Sequence, residues 1–148
     1  GRTARSDDEV DVGDLVAVAD ERFADLPADT RVVAVSPDAG GAKRAESFRR
    51  ALERHIGRAV GSAYMEKYRS NDIVTGTMLV GDIHERIAII VDDLISTGGT
   101  LLRAGEACRK AGARQVHAAA MRRPAVANVA PLGLVVMWKA VASARPAG

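Results

Sequence analysis

The feature that most constrains the fold of this chain is a run of five apolar residues, Ile87-Ala88-Ile89-Ile90-Val91. The run is continuous and mostly β-branched, which is typical of a central parallel strand covered on both faces. Nine residues with adjacent acids and adjacent glycines follow it, and residues 101–111 then have helical spacing, ended by Gly112. A buried strand, a polar loop and a helix in this order predict an α/β unit.

The same alternation of strands and helices recurs along the chain. We predict strands at residues 32–35, 59–64, 77–80 and 115–120, a turn at 36–41, a helix at 42–56 and a polar loop at 66–76. Phe48, Leu52 and Ile56 recur at a spacing of four in the helix, and Gly57 follows it. The pattern predicts an α/β fold with a parallel sheet flanked by helices, in which ligands bind at the carboxyl ends of the strands.

Charge divides the chain into three regions. Residues 1–29 contain nine acids and three arginines, whereas residues 121–148 contain four basic residues and no acid. We therefore expect an acidic, helical and partly frayed segment at 1–30, an α/β core at 31–120, and a basic tail at 121–148 with one strand near 132–138. The net charge of +2 and the five aromatic residues do not favour nucleic-acid binding.

Cysteine content and hydropathy exclude several other classes of protein. Cys108 is the only cysteine, which excludes an intrachain disulfide framework and a zinc cluster and suggests a packed side chain. Every apolar stretch is far shorter than the ~20 residues that span a bilayer. The acidic start does not resemble a secretory signal. We expect a cytoplasmic domain without membrane or nucleic-acid partners.

The loop after the central strand has the chemistry of a phosphate site. Gly98 and Gly99 allow the backbone to approach a ligand closely, and Ser96, Thr97 and Thr100 supply hydroxyl donors. The helix that follows points free N–H groups and its positive dipole end at the loop. The plain alternative is a helix cap with a tight turn. A Walker loop is excluded because no lysine follows the glycines.

Asp92 and Asp93 add a different specificity to this loop. Carboxylates repel a phosphate at contact distance, so these two are expected to face hydroxyl groups or a cation. Because acids precede a phosphate cradle, the loop suits a sugar phosphate. The stretch 91–100 resembles the phosphoribosyl-pyrophosphate binding motif of the type I phosphoribosyltransferase fold. That resemblance implies that the two acids contact the ribose hydroxyls, and that Ser96 to Thr100 hold the 5-phosphate.

A second motif lies after the first strand. The stretch 35–44 resembles the pyrophosphate loop of the ribose-phosphate pyrophosphokinase (phosphoribosyl pyrophosphate synthetase) family. Gly40 and Gly41 are expected to present backbone amides to an anion, with Asp38 holding a Mg²⁺ ion that bridges phosphate oxygens. The predicted pyrophosphate-binding residues are Asp38, Ala39, Gly40 and Gly41.

A third motif selects the same family. Residues 66–71 resemble its flexible catalytic loop, in which a lysine and an arginine two residues apart act on the transferred group. Here these are Lys67 and Arg69. Alone, such a pair indicates solvated surface. The resemblance covers about residues 32–120, corresponds to the C-terminal domain of a synthetase subunit, and implies association with like or related subunits.

Three functions remain open from the residues. The first is ribose-phosphate diphosphokinase activity in nucleotide biosynthesis, with ribose 5-phosphate and Mg·ATP as substrates. The second is a phosphoribosyltransferase that consumes phosphoribosyl pyrophosphate, which nucleobase-dependent pyrophosphate release would reveal. The third is a non-catalytic, regulatory subunit that binds sugar phosphate without turnover. The loops at Asp38 and Lys67 favour the first over the second.

Overall fold

One sheet of six strands carries two helices and forms the described part of the molecule. The computed structural model describes residues 27–92 and 99–120 and the backbone of 135–137. The strands are β1 (Val32–Ser36), β2 (Gly61–Ser70), β3 (Ile73–Val80), β4 (Ile87–Asp92), β5 (Gln115–Ala120) and β6 (Val135–Met137), and the helices are α1 (Ala42–Ile56) and α2 (Gly99–Lys110). The predicted α/β class is confirmed. No helix among these residues is long and apolar enough to cross a membrane.

The strand order places β1 and β4 side by side at the middle of the sheet. The order is β3-β2-β1-β4-β5-β6, and β2, β1, β4, β5 and β6 are parallel. From β1 the chain passes through α1 to β2 on one side of the central pair. From β4 it passes through α2 to β5 on the opposite side. The strand order therefore reverses between β1 and β4. In parallel α/β sheets this switch point is where ligands bind, outside the carboxyl ends of the strands.

Alternate side chains of the two central strands build two separate cores. Val33, Val35 and Ile90 pack with Leu101, Ala104 and Cys108 of α2 on one face. On the other face Val32, Ala34 and Ile89 pack with Phe48 and Leu52 of α1. All five apolar residues of the 87–91 run are fully buried. The prediction of a strand covered on both faces is confirmed.

Helix α1 has the bounds that its periodicity predicts. Ala45, Phe48 and Leu52 are its buried positions, at the three- and four-residue spacing of one helix face. Gly57 ends the helix in the left-handed conformation with φ 71°, and its N–H donates to the Glu53 carbonyl. Lys43 is exposed and Arg44 is half-buried. The helix is thus fixed by one apolar stripe and a glycine stop.

The prediction of a loop at residues 66–76 is wrong. Strands β2 and β3 form a long antiparallel hairpin there, joined by Asn71 and Asp72 with φ values of 53° and 63°. Positive φ at both central residues is the type I′ turn favoured in two-residue hairpins. Only residues 61–64 of β2 pair with β1, and residues 65–70 pair with β3 alone. Most side chains of that part are exposed, which removes the apolar alternation that marks a strand in sequence.

Smaller differences concern the ends of the chain and of α2. Helix α2 begins at Gly99, two residues before its apolar pattern, because the first turn of a helix needs no buried side chain. Strand β6 lies inside the predicted range 132–138 and pairs with β5. Of the acidic helical segment predicted at 1–30, residues 1–26 lie outside the described residues and residues 27–30 form a turn. The rest of the tail also lies outside the described residues.

Candidate functional site

The structure brings the second and third motifs and the first turn of α2 together in one cleft. The cleft has a volume of about 650 Å³. It lies at the carboxyl end of β1, between the β2–β3 hairpin and α2. Its lining includes Asp38, Ala39, Gly40, Lys67, Arg69 and Thr100. Residues more than sixty positions apart in sequence therefore share one concave surface, at the switch point where the topology predicts a ligand.

The β1 loop is held by its own side chains. The buried Ser36 hydroxyl donates to the Asp38 carbonyl at 2.5 Å. Asp38 Oδ1 accepts from the Gly41 N–H at 2.8 Å and caps the 3-10 turn Ala39–Gly41 that precedes α1. Gly41 is buried, and its N–H donates to Asp38 in this structure; its predicted contact with pyrophosphate stays a prediction. The amide is used inside the loop.

Asp38 fits a magnesium ion only as one ligand among several. Its Oδ1 is occupied by the cap, and the described residues give the carboxylate no second hydrogen bond. Within the described ranges, no three His, Cys, Asp or Glu side chains are grouped to hold a metal. Mg²⁺ is commonly held by one or two carboxylates together with water and substrate phosphates. The remaining Asp38 oxygen suits that arrangement.

Lys67 and Arg69 both line the cleft from β2. Met65, Lys67 and Arg69 occupy alternate positions of β2 and so project from the same face. Met65 is buried in the core beneath α2, whereas the two basic residues lie beyond that core and are exposed. The β2–β3 register shifts between Tyr68 and Arg69, which is the position of a bulge. The hairpin thus holds two cations over the cleft on paired strands.

The predicted sugar-phosphate loop is described only at its ends. Asp92 is the last residue of β4 and is half-buried. Thr100 lies in the first turn of α2, is exposed and lines the cleft. Gly99 begins that helix. The predicted site residues Asp93, Ser96, Thr97 and Gly98 lie outside the described residues. These two ends lie at the carboxyl edge of the sheet, and Thr100 lines the cleft.

Sequence reasoning missed some residues that line the cleft. Arg103 and Ala104 come from the second turn of α2, and Tyr64, Glu66 and Thr77 come from the hairpin. The available signal was helical spacing, since Arg103 is three residues after Thr100 and therefore on the same face of α2. Tyr64 is 43% exposed.

Other candidate groups are structural in the described part of the chain. Cys108 is fully buried, and burial raises the pKa of its thiol to about 11. His117 is buried with its Nε2 at 2.9 Å from Gln115, while His55 and His84 are exposed. A second cavity, of about 530 Å³, lies at the amino-terminal edge of the sheet and contains none of the predicted site residues. The cleft is therefore the candidate site.

Comparison with known families and proteins gives matches over the part of the chain that contains these motifs. The family model for the phosphoribosyl transferase domain matches residues 14–139. The chain is 42% identical over 93 residues to ribose-phosphate pyrophosphokinase 5 of Schizosaccharomyces pombe, covering 63% of this chain and 26% of that protein. It is 42% identical over 86 residues to ribose-phosphate pyrophosphokinase A of Dictyostelium discoideum, covering 58% and 26%. The chain spans about a quarter of the length of these relatives.

Solved structures resemble this one over most of the chain. A phosphoribosylpyrophosphate synthetase from Mycobacterium smegmatis superposes with a TM-score of 0.61 at 32% identity, covering 79% of this chain and 34% of that one. A hypoxanthine phosphoribosyltransferase from Trypanosoma cruzi superposes with a TM-score of 0.58 at 13% identity, covering 81% and 70%. At that low identity the second likeness is one of fold alone.

Proposed function

This chain belongs to the phosphoribosyl transferase domain family, and we propose that it is the sugar-phosphate half of a ribose-phosphate diphosphokinase. The predicted type I phosphoribosyltransferase fold and the resemblance to ribose-phosphate pyrophosphokinases are confirmed. The proposed reaction transfers pyrophosphate from Mg·ATP to the 1-hydroxyl of ribose 5-phosphate. One observation carries the proposal: the Asp38 loop, the Lys67–Arg69 strand and the first turn of α2 line one cleft.

The sugar phosphate is assigned to the carboxyl end of β4. Asp92 and Asp93 would accept hydrogen bonds from the ribose hydroxyls. The 5-phosphate would lie against the stretch from Ser96 to Thr100, at the positive end of α2. Because Thr100 lines the cleft, a sugar bound in this way would direct its reactive carbon toward the Asp38 loop.

The transfer step needs positive charge more than covalent help. The 1-hydroxyl oxygen would attack the β-phosphorus of ATP and release its proton to solvent. The bond from that phosphorus to the oxygen bridging the α-phosphate would break, and AMP would leave. Charge on the phosphoryl oxygens would be stabilised by Lys67 and Arg69. Both side chains are exposed in the described structure and are free to reach a ligand in the cleft.

Asp38 would hold a magnesium ion together with the phosphate oxygens of the nucleotide. A bound Mg²⁺ would neutralise phosphate charge and orient the pyrophosphoryl group. The chain's own contribution is to fix that carboxylate. Ser36 and the Gly41 amide hold the loop that carries it.

An assay for phosphoribosyl pyrophosphate formation from ATP and ribose 5-phosphate tests this proposal. The chain is measured alone and with a full-length ribose-phosphate pyrophosphokinase subunit added, because the chain spans only about a quarter of such proteins. We expect Lys67→Met to lower the chain's contribution to kcat by about a hundredfold or more. Lys110→Met is the matched control, since it removes one exposed charge from the far end of α2.

Two outcomes would favour the alternative functions. Binding of ribose 5-phosphate without turnover above that of the added subunit alone would assign the chain to a regulatory role. Release of pyrophosphate from phosphoribosyl pyrophosphate on addition of a nucleobase would assign it to the phosphoribosyltransferases. Absence of both binding and turnover would contradict the proposal altogether.

A further inference from the structure

Arg103 is a cation in the cleft that none of the three motifs includes. It lies on α2, is exposed, and lines the same cleft as Lys67 and Arg69. Its guanidinium NH2 is 3.4 Å from Thr100 Oγ1, a long contact in which the hydroxyl is the acceptor. Within the described residues it pairs with no carboxylate. Its exposed side chain can reach a ligand in the cleft.

Helix geometry fixes where this charge lies. Thr100 and Arg103 are three residues apart on α2, so their side chains are neighbours on one face. Leu101 and Ala104 are buried against the sheet and hold the rotation of the helix about its axis. The Arg103 guanidinium consequently lies beside the first turn of α2, where the helix dipole already favours an anion.

Arg103 also decides the sign of the charge in the cleft. Among the described lining residues, Lys67 and Arg69 are balanced by Asp38 and Glu66. Arg103 is the remaining charged residue of that lining and makes it positive. A sugar phosphate carries nearly two negative charges at neutral pH, so an excess of positive charge in the cleft favours its binding.

We infer that Arg103 binds the 5-phosphate of the sugar phosphate, next to Thr100, and selects phosphorylated over unphosphorylated sugars. This inference rests on the proposed function. Arginine suits the role because its planar fork can donate two parallel hydrogen bonds to phosphate oxygens. The alternative partner within the cleft is the polyphosphate of ATP, but the contact with Thr100 assigns Arg103 to the sugar.

The role has a kinetic signature. The 5-phosphate does not change charge during transfer at the 1-hydroxyl, so Arg103 would stabilise the ground state and the transition state equally. Loss of such uniform binding raises KM and leaves kcat unchanged. Lys67, which acts on the transferred group, is expected to affect kcat instead.

Calorimetric titration of the full chain with ribose 5-phosphate, and separately with Mg·ATP, tests the inference. We compare the native chain with Arg103→Leu, Arg103→Lys and the control Lys110→Met, after circular dichroism has verified that each is folded. We expect Arg103→Leu to weaken ribose 5-phosphate binding about tenfold or more, because a charged hydrogen-bond partner is lost. Arg103→Lys should retain much of the affinity, and Lys110→Met all of it.

The possible results separate this inference from the proposed function. If the native chain binds ribose 5-phosphate and Arg103→Leu binds it equally well, the inference is wrong and the proposed function stands. If Arg103→Leu weakens only Mg·ATP binding, the assignment to the 5-phosphate is wrong. If the native chain does not bind ribose 5-phosphate, both the inference about Arg103 and the proposed function are wrong.

Discussion

At the scale of single residues, Asp38 combines a structural role with the chemical role that we propose for it. One carboxylate oxygen caps the 3-10 turn through the Gly41 N–H, and the residue also lines the cleft. A cap needs only a hydrogen-bond acceptor, whereas a magnesium ligand needs a carboxylate charge. Asparagine keeps the acceptor and lacks the charge, so the two roles can be separated by substitution.

Two substitutions of Asp38 are expected to differ in their effect on stability and to have the same effect on magnesium-dependent ATP binding. Asp38→Ala should lower the free energy of unfolding by about 1 kcal/mol because the cap is lost. Asp38→Asn should lower it by less than about 0.5 kcal/mol, since its side-chain oxygen still accepts. Both should weaken magnesium-dependent ATP binding. Urea unfolding and calorimetry measure the two effects; equal losses of stability would contradict the capping role.

Glu46 illustrates a charge whose effect depends on pH. Its hydrogen bonds from Arg49 are the main cause that lowers its pKa from 4.5 to about 2. Because the pKa of Glu46 is lower in the folded state, the ion pair stabilises the fold above pH 4.5. This stabilisation is lost as the pH falls toward 2. The side chain is 37% exposed, so solvent screening reduces the contribution to a few tenths of a kcal/mol.

We therefore expect Glu46→Gln to be slightly less stable than the native chain above pH 4.5 and indistinguishable from it near pH 2. Urea unfolding of both proteins across this range measures the difference. Addition of 1 M salt at neutral pH should also reduce it, because exposed ion pairs are screened. A difference that grows as the pH falls would contradict the assignment.

At the scale of elements, the turn that joins the hairpin to β4 depends on one glycine. Gly81 has φ 127°, a conformation that L side chains rarely adopt. A Cβ atom there would lie 2.6 Å from the Ala63 Cβ and 2.9 Å from the Ala63 Cα. The turn therefore requires glycine for both its backbone angle and the close approach to β2.

Gly57 provides a matched comparison for Gly81. It also has positive φ, at 71°, but a Cβ there would meet nothing within 4 Å. Gly57→Ala is expected to lower the free energy of unfolding by about 1 kcal/mol, from backbone strain alone. Gly81→Ala should cost about 3 kcal/mol, because overlap with Ala63 adds to the strain. Thermal or urea unfolding measures both, and equal losses would show that the overlap relaxes freely.

The elements that sequence predicts well are those with one regular apolar pattern. Strand β4 and helix α1 bury a continuous run and a single stripe, and both are visible in sequence. The β2–β3 hairpin has no such pattern, because beyond residue 64 it pairs with itself and exposes most of its side chains. Its only local signal is the Asn71–Asp72 pair between segments of similar length.

The candidate site, like the fold, could be predicted only in part from the sequence. The order of the motifs predicts that Asp38 and Thr100 follow the carboxyl ends of two strands, and the structure brings both into the cleft. The sequence does not reveal that Asp38 consumes the Gly41 amide, because that bond depends on the turn that forms. Nor does it identify Arg103, whose role depends on the orientation of α2 against the hairpin. Binding to the loop at 93–98 stays a prediction.

At the scale of the whole molecule, the sheet is the structure that connects the two loops predicted to bind ligand. Both emerge from adjacent parallel strands, β1 and β4, whose paired residues run from Val32 with Ile87 to Val35 with Ile90. A ligand that contacts both loops would bind only when these strands are paired. Ligand binding and folding are therefore expected to be coupled.

Ribose 5-phosphate at a hundred times its Kd is expected to stabilise the folded chain by about 2.7 kcal/mol. For a domain of this size, that corresponds to a rise in Tm of roughly 5–10 °C. Scanning calorimetry with and without the ligand measures the shift, and unphosphorylated ribose is the control. A rise of equal size with ribose would contradict recognition of the phosphate.

The division of the interior by the sheet has a practical consequence for protein engineering. Met65 and Ala104 belong to the α2 core and also line the cleft, so repacking that side would change the shape of the binding surface. The α1 core contributes no residue to the cleft lining. A redesign aimed at thermostability can repack Phe48, Leu52 and their neighbours with side chains of matched volume and leave the cleft lining unchanged, while a redesign aimed at new substrates should begin on the opposite side.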